Sequence, residues 1–193
     1  MILPIVAYGT PVLKKKGKDT TPEYPDLDQL LVNMWETMYD AKGVGLAAPQ
    51  VGIGIRVFIV DASPFSEDEE LTEDEQKQLA GFKKVFINPQ IKESGEEWAF
   101  NEGCLSIPDV REDVYRQEDI EVHYFDENFQ EHTEVLAGLA ARVVQHEFDH
   151  VEGVLFTDKL SPLKKRLIKG KLNNIAKGNI DVDYNCLLYT SDA

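Results

Sequence analysis

The stretch from Ala137 to Val151 constrains this chain more than any other. Ala137, Leu139, Ala140, Ala141, Val143, Val144 and Phe148 make its body apolar, and no proline interrupts it. The pattern predicts a helix that is apolar on most sides, and such a helix is buried. The rest of the chain must therefore pack around it.

The same helix carries Gln145-His146-Glu147-Phe148-Asp149-His150. Unpartnered buried polar groups cost roughly 2–7 kcal/mol each, so two histidines and two acids here need partners. Residues four apart share one helix face, one turn above each other. His146 and His150 can therefore both aim a ring nitrogen at one metal ion. Glu147 projects about 100° round the axis and can reach a water on that ion without ligating it. This is the geometry of metal-assisted hydrolysis with a carboxylate as general base. A chance match on a solvated helix is the competing reading, and the apolar body argues against it.

A catalytic ion usually takes three protein ligands and keeps one position open. No histidine follows His150, and Glu152 is too close to turn back onto the same ion. Asp158, Asp181 and Asp183 stand in no recognisable ligand context. Upstream, Glu102-Gly103-Cys104-Leu105-Ser106 offers one of the two cysteines of the chain. A Cys-His-His site would follow. A free cysteine is more often a small buried hydrophobe, so Cys104 alone does not decide the matter.

A third segment, Gly43-Val44-Gly45-Leu46-Ala47-Ala48-Pro49-Gln50, precedes the other two. The three motifs in this order resemble the signatures of the peptide deformylase family. The likeness runs from Pro11-Val12-Leu13 to about Asn185. It implies an α+β fold around the metal helix, with antiparallel or mixed sheets. It also implies a hydrolase that removes the N-formyl group from the formylmethionine of new polypeptides and releases formate.

Residue by residue, the resemblance implies that Cys104, His146 and His150 hold one divalent ion. Fe(II) is favoured, and thiolate and imidazole ligands also suit Zn, Ni and Co. Glu147 would act as general base and then pass its proton to the departing amine. Gln50 and the backbone N–H of Leu105 would stabilise the oxyanion. Such donors are worth roughly 2.7–4 kcal/mol each at acyl-transfer sites. Gly45 would lie in a stretch that pairs with the substrate backbone. Val44, Phe100, Leu139 and Val143 would line an apolar pocket suited to methionine, although each could equally be a plain core residue. Glu102 and Arg111 would form an ion pair or play a polar role at the substrate entrance, against the alternative of ordinary surface charge.

The length of 193 residues suits one domain, and 42% hydrophobic residues can build its core. No apolar stretch is long enough to span a bilayer, and the first residues lack a basic, apolar leader pattern. A cytoplasmic protein without a membrane partner is expected. A net charge of −15 disfavours specific nucleic-acid binding. Much of that charge is local, with seven acids between Ser66 and Glu75. Pro64 to Gly81 reads as an inserted surface segment, solubilising in character, with a helix at Thr72–Ala80 pinned by Leu71 and Leu79.

Helical spacing of Leu27, Leu30, Leu31, Met34, Trp35, Met38 and Tyr39 predicts an amphipathic helix over Asp26–Ala41, closed by Gly43 at C′. Separate strands are expected at 56–60, 84–89, 97–100, 114–116 and 120–125, with a partner strand ending at Val135. Strands without β-α-β alternation give the α+β class. A final helix at Leu163–Ala176 carries Lys164, Lys165, Arg166, Lys169 and Lys171. In the family this region can contact the ribosome, although a solvated basic face is the simpler reading. The domain is expected over 1–185. The ending at 186–193 resembles translated adapter sequence, which would leave Cys186 without a role.

Two other functions compete. A peptidase acting on internal bonds would need the downstream ligand that is missing. A structural zinc module would use four protein ligands and would leave Glu147 and Gln50 without purpose.

Overall fold

The computed structural model describes residues 1–187. Strand β1, Ile5–Val6, leads to helix α1, Leu27–Asp40, and then to β2, Gly45–Ala47, and β3, Val57–Asp61. Helix α2, Glu73–Ala80, precedes two long strands, β4 at Lys83–Cys104 and β5 at Ile107–Phe125. Strand β6, Glu131–Ala137, feeds helix α3, Gly138–Glu152. Helix α4, Pro162–Ala176, and strand β7, Cys186–Leu187, complete the described chain.

The main sheet is antiparallel in the order β2-β3-β4-β5-β6. Strand β3 is buried at every residue, and its side chains alternate between two cores. Phe58 and Val60 join Phe86, Ile120, Val122, Val143 and Val144 on the α3 side. Val57 and Ile59 join Leu30, Leu31, Met34 and Met38 on the α1 side. The period-2 geometry of a strand thus lets one sheet bury two helices on opposite faces. A third core packs α4, through Ile168, Leu172 and Ile175, against Ile107, Val110 and Val114 of β5.

The expected strand at 56–60 is β3 and the partner strand is β6, but those expected at 84–89, 97–100, 114–116 and 120–125 are parts of β4 and β5. Their ladder jumps register between Ile87 and Gln90, between Ser94 and Glu97, and between Gly103 and Cys104. Such bulges bend and twist a hairpin without ending it. The last shift leaves Leu105 and Ser106 as the turn joining Cys104 to Ile107. Ser106 and Ile107 are fully buried, so this hairpin tip points into the molecule.

Helix ends follow local chemistry. Lys42, at φ 55°, takes the left-handed C′ position of α1. Its N–H bonds the Tyr39 carbonyl, while the Gly43 N–H bonds the Met38 carbonyl at 2.8 Å. The expected C′ glycine is therefore one residue further on, at C″ of a Schellman turn. Helix α3 ends at Gly153, φ 76°, where a Cβ would lie 2.7 Å from the Lys15 carbonyl carbon. Helix α2 starts at Thr72, whose side chain and that of Glu75 cap each other's backbone N–H. Leu79 is buried, and Phe65 and Leu71 lean on the same core. Cys186 and Leu187 pair in parallel with Ile5 and Val6. The remainder of the ending set apart at 186–193 lies outside the described residues.

Candidate active site

Helix α3 packs against the edge strand β2, and the β4–β5 tip meets His150 of α3 and Gln50 just after β2. The apolar residues of α3 face the sheet, which turns His146, Glu147 and His150 toward that junction. A ligand atom from each of Cys104, His146 and His150 lies within 4.8 Å of the others. Cys104 Sγ is 3.3 Å from His150 Nε2. The ring centroids of His146 and His150 are 5.1 Å apart. One soft sulfur and two imidazole nitrogens make a donor set for a divalent transition metal.

The electrostatics fit an ion there. Burial opposes protonation of His146, but the Cys104 sulfur and the Glu102 carboxylate push its pKa up to about 10. This pocket therefore favours positive charge. Burial, and then the nearby charges of His146 and Arg116, hold His150 well below the usual histidine range, so it offers a free lone pair. His146 Nδ1 lies 3.0 Å from Glu102 Oε2, which fixes the ring and leaves Nε2 for the ion. His150 Nδ1 has no such partner among the described residues.

Glu102 is buried, and the network around it was not foreseen. Arg116 grips it with Nε–H and Nη2–H, at 2.7 and 3.0 Å. Arg142 Nη1 donates to the same carboxylate at 3.0 Å. Burial alone would raise the Glu102 pKa, but hydrogen bonds from His146 and Arg116 hold it well below the carboxylate range. Arg116 also donates to Asp149 at 2.7 Å, which brings one acid of the α3 motif into this charge cluster. The sequence signal was Arg142 itself, because a guanidinium inside an apolar helix body requires a buried acid. Of the two roles expected for Glu102 and Arg111, the mutual ion pair is not formed, while both residues line the cleft, where a polar role stays open to them. Arg111 is exposed and bonds the side chain and carbonyl of Asn101 instead.

Glu147 is buried, and its Oε2 has no hydrogen-bond partner among the described residues. Burial pushes its pKa up to about 7. Its carboxylate lies against Gly45, where an added Cβ would come within 2.4 Å of Oε1. Gln50 sits in the 3-10 turn Ala48–Val51 that follows β2. Its Oε1 accepts the Ala47 N–H at 2.8 Å, which orients the amide so that Nε2 faces Cys104 Sγ at 3.5 Å and Ser106 Oγ at 3.4 Å.

A cleft of about 600 Å³ opens over these groups. Val44, Gly45, Gln50, Phe100, Glu102, Cys104, Leu105, Arg111, Val143, His146 and Glu147 all line it. Leu139 does not; it packs in the α3 core one turn before Val143. Arg142 and the segment Asp181–Tyr184 line the cleft without having been anticipated. Arg142 stacks on Trp98, its guanidinium carbon 4.3 Å from the ring centroid. No residue of the acidic segment 64–81 reaches the cleft.

Three donors leave one position of a four-coordinate ion for water or substrate, and a partnerless carboxylate stands beside it. This fold and site define a metal-dependent hydrolase of the His-Glu-x-x-His kind. A family profile for polypeptide deformylase matches residues 2–166. The chain is 67% identical over 185 residues to the peptide deformylase of Christiangramia forsetii, covering 95% of this chain and 94% of that one. It is 63% identical over 185 residues to the enzyme of Flavobacterium johnsoniae, with the same coverage. Among solved structures, a peptide deformylase from Legionella pneumophila superposes with a TM-score of 0.76 at 35% identity, covering 93% of this chain and 98% of that one. One from Plasmodium falciparum also gives 0.76, at 33% identity, covering 90% and 95%. The chain belongs to the peptide deformylase family, metal-dependent hydrolases that remove the N-formyl group from nascent polypeptides. Among the described residues no helix is long and apolar enough to cross a membrane.

Proposed function

We propose that Cys104, His146 and His150 hold Fe(II) and that Glu147 is the proton carrier of the hydrolysis. The observation that carries this reading is a buried carboxylate without a partner beside a sulfur–imidazole triad. When bound, the ion acidifies water and polarises the formyl carbonyl. Glu147, with its pKa near neutrality, takes a proton from the attacking water and delivers it to the leaving amine. Gln50 Nε2 and the Leu105 N–H are the donors to the oxyanion, held by the Ala47 contact and by the hairpin tip. The free edge of β2 at Gly45 is where an extended formyl-peptide adds as a further strand. Val44, Phe100 and Val143 receive its methionine side chain.

Residues 1–185 form one catalytic domain with an acidic insertion, acting in the cytoplasm on formylmethionyl peptides. The basic face of α4 is the candidate for transient ribosome contact, and its exposed Leu163 and Leu167 support a docking role. Anaerobic purification followed by loading with Fe(II), Zn(II) and Ni(II) in turn tests the metal assignment. The Fe(II) form is expected to deformylate a formyl-Met dipeptide fastest and to lose activity in air. Highest activity with Zn(II), together with insensitivity to air, would reject iron.

A further inference from the structure

The segment after α4 does not leave the molecule. Asp181 to Tyr184 form part of the cleft wall. The Tyr184 hydroxyl donates to the Leu105 carbonyl at 2.5 Å. One residue further, the Asn185 carbonyl accepts the Ile5 N–H at 2.8 Å. The Tyr8 N–H in turn bonds the Ser106 carbonyl at 2.8 Å. Both carbonyls of the Leu105–Ser106 tip are thus satisfied by chain termini and not by the sheet. A two-residue turn pushed into the interior has no ladder partner for these groups and must find others. Burial raises the Tyr184 phenol above its ordinary pKa, which keeps it a donor. On the other side, Leu105 Cδ1 fills the space at Gly43, where a Cβ would lie only 2.9 Å away.

We propose that Tyr184 is a positioning residue for deformylation: its hydroxyl holds the Leu105 carbonyl, across Leu105 Cα from the peptide that bears the Leu105 N–H, and so limits the rotation that would turn that N–H away from the reacting carbonyl. This rests on the reading of Leu105 as an oxyanion donor. A donor of that kind acts through fixed geometry, because its orientation must precede the transition state. The C-terminal strap then belongs to the catalytic apparatus, although it holds no metal ligand and no proton carrier.

The test compares Tyr184→Phe with Gln50→Ala in the metal-loaded full chain. Phenylalanine keeps the ring packing and removes only the hydroxyl. In Tyr184→Phe, kcat on a formyl-Met dipeptide should fall about three- to tenfold, the scale of one net hydrogen bond. KM and metal content should not change, and the unfolding temperature should fall by only about 2–4 °C. Amide exchange in the peptide spanning Glu102–Ile107 should accelerate. Wild-type kcat in Tyr184→Phe beside a clear loss in Gln50→Ala overturns the positioning role alone. Wild-type kcat in both variants overturns the oxyanion reading, and the positioning role with it. A parallel rise in KM assigns Tyr184 to substrate binding instead. Loss of metal with unchanged kcat per bound ion makes its role structural. Either outcome rejects the proposal.

Discussion

Gly45 makes room for Glu147. A Cβ at residue 45 would lie 2.4 Å from Oε1 and 2.7 Å from Cδ of that carboxylate. Strand β2 and helix α3 therefore touch through a glycine, and the position of Glu147, the proposed proton carrier, is set by a missing side chain. Gly45→Ala is expected to leave the fold and metal content intact while displacing Glu147. A misplacement of about 1 Å can cost on the order of 10²-fold in rate, and kcat should fall by that order. Steady-state kinetics with metal analysis checks it. Wild-type turnover in a folded, metal-replete Gly45→Ala enzyme would mean that the Glu147 position is not critical.

Glu102 links the metal site to the core. Its carboxylate meets Arg116, Arg142 and His146 together, so replacing it removes the shared anion of two buried guanidinium groups. Glu102→Gln should destabilise the protein by about 3–5 kcal/mol, the usual cost of breaking a buried pair from one side. Because Glu102 also orients His146, metal affinity should weaken by roughly 10–100-fold. Denaturant unfolding and competition with a chelator measure the two effects separately. Retention of both properties would show that the arginines find other partners.

The acidic insertion should divide into a structural part and an inert part. Leu79 is buried in the main core, whereas Glu73 and Asp74 are exposed and meet only Lys77, at 3.8 and 3.9 Å. Leu79→Ala should cost about 2–5 kcal/mol of stability. Neutralising Glu69, Glu70, Glu73 and Asp74 should change solubility and salt response but leave kcat and KM alone. Altered kcat in the neutralised variant would bring the insertion into the substrate site.

How far the sequence disclosed this structure depended on how local each signal was. Helices α1, α2, α3 and α4 were legible to within a residue or so, because apolar spacing and caps such as Thr72 and Ser161 are local properties. The long hairpin was not. Exposed residues around Glu93–Glu97 and three register shifts interrupt its alternation, so β4 and β5 read as fragments. The cluster of Cys104, His146 and His150 was legible as motifs, since each potential ligand sits in a short recognisable run. The Glu102 network was not, because Arg116 and Arg142 lie 14 and 40 residues away and an arginine on an alternating strand reads as surface. Leu139 and Val143 stand one helical turn apart, and only the packing of α3 decides that Val143 meets the cleft while Leu139 stays in the core. Tyr184 stands in no motif, and its contact with Leu105 exists only once the termini have folded over the hairpin tip.

The most direct test of the account measures metal stoichiometry and turnover together in Glu147→Gln, with Cys104→Ala as its counterpart. Glu147 touches no ligand role, so Glu147→Gln should bind one ion per chain and lose about 10²–10⁴ in kcat, the range for a general acid–base group. Cys104→Ala removes the anionic ligand and should lose the ion itself. A Glu147→Gln enzyme that turns over at the wild-type rate with its ion bound, or a Cys104→Ala enzyme that keeps a full complement of metal, would contradict the account.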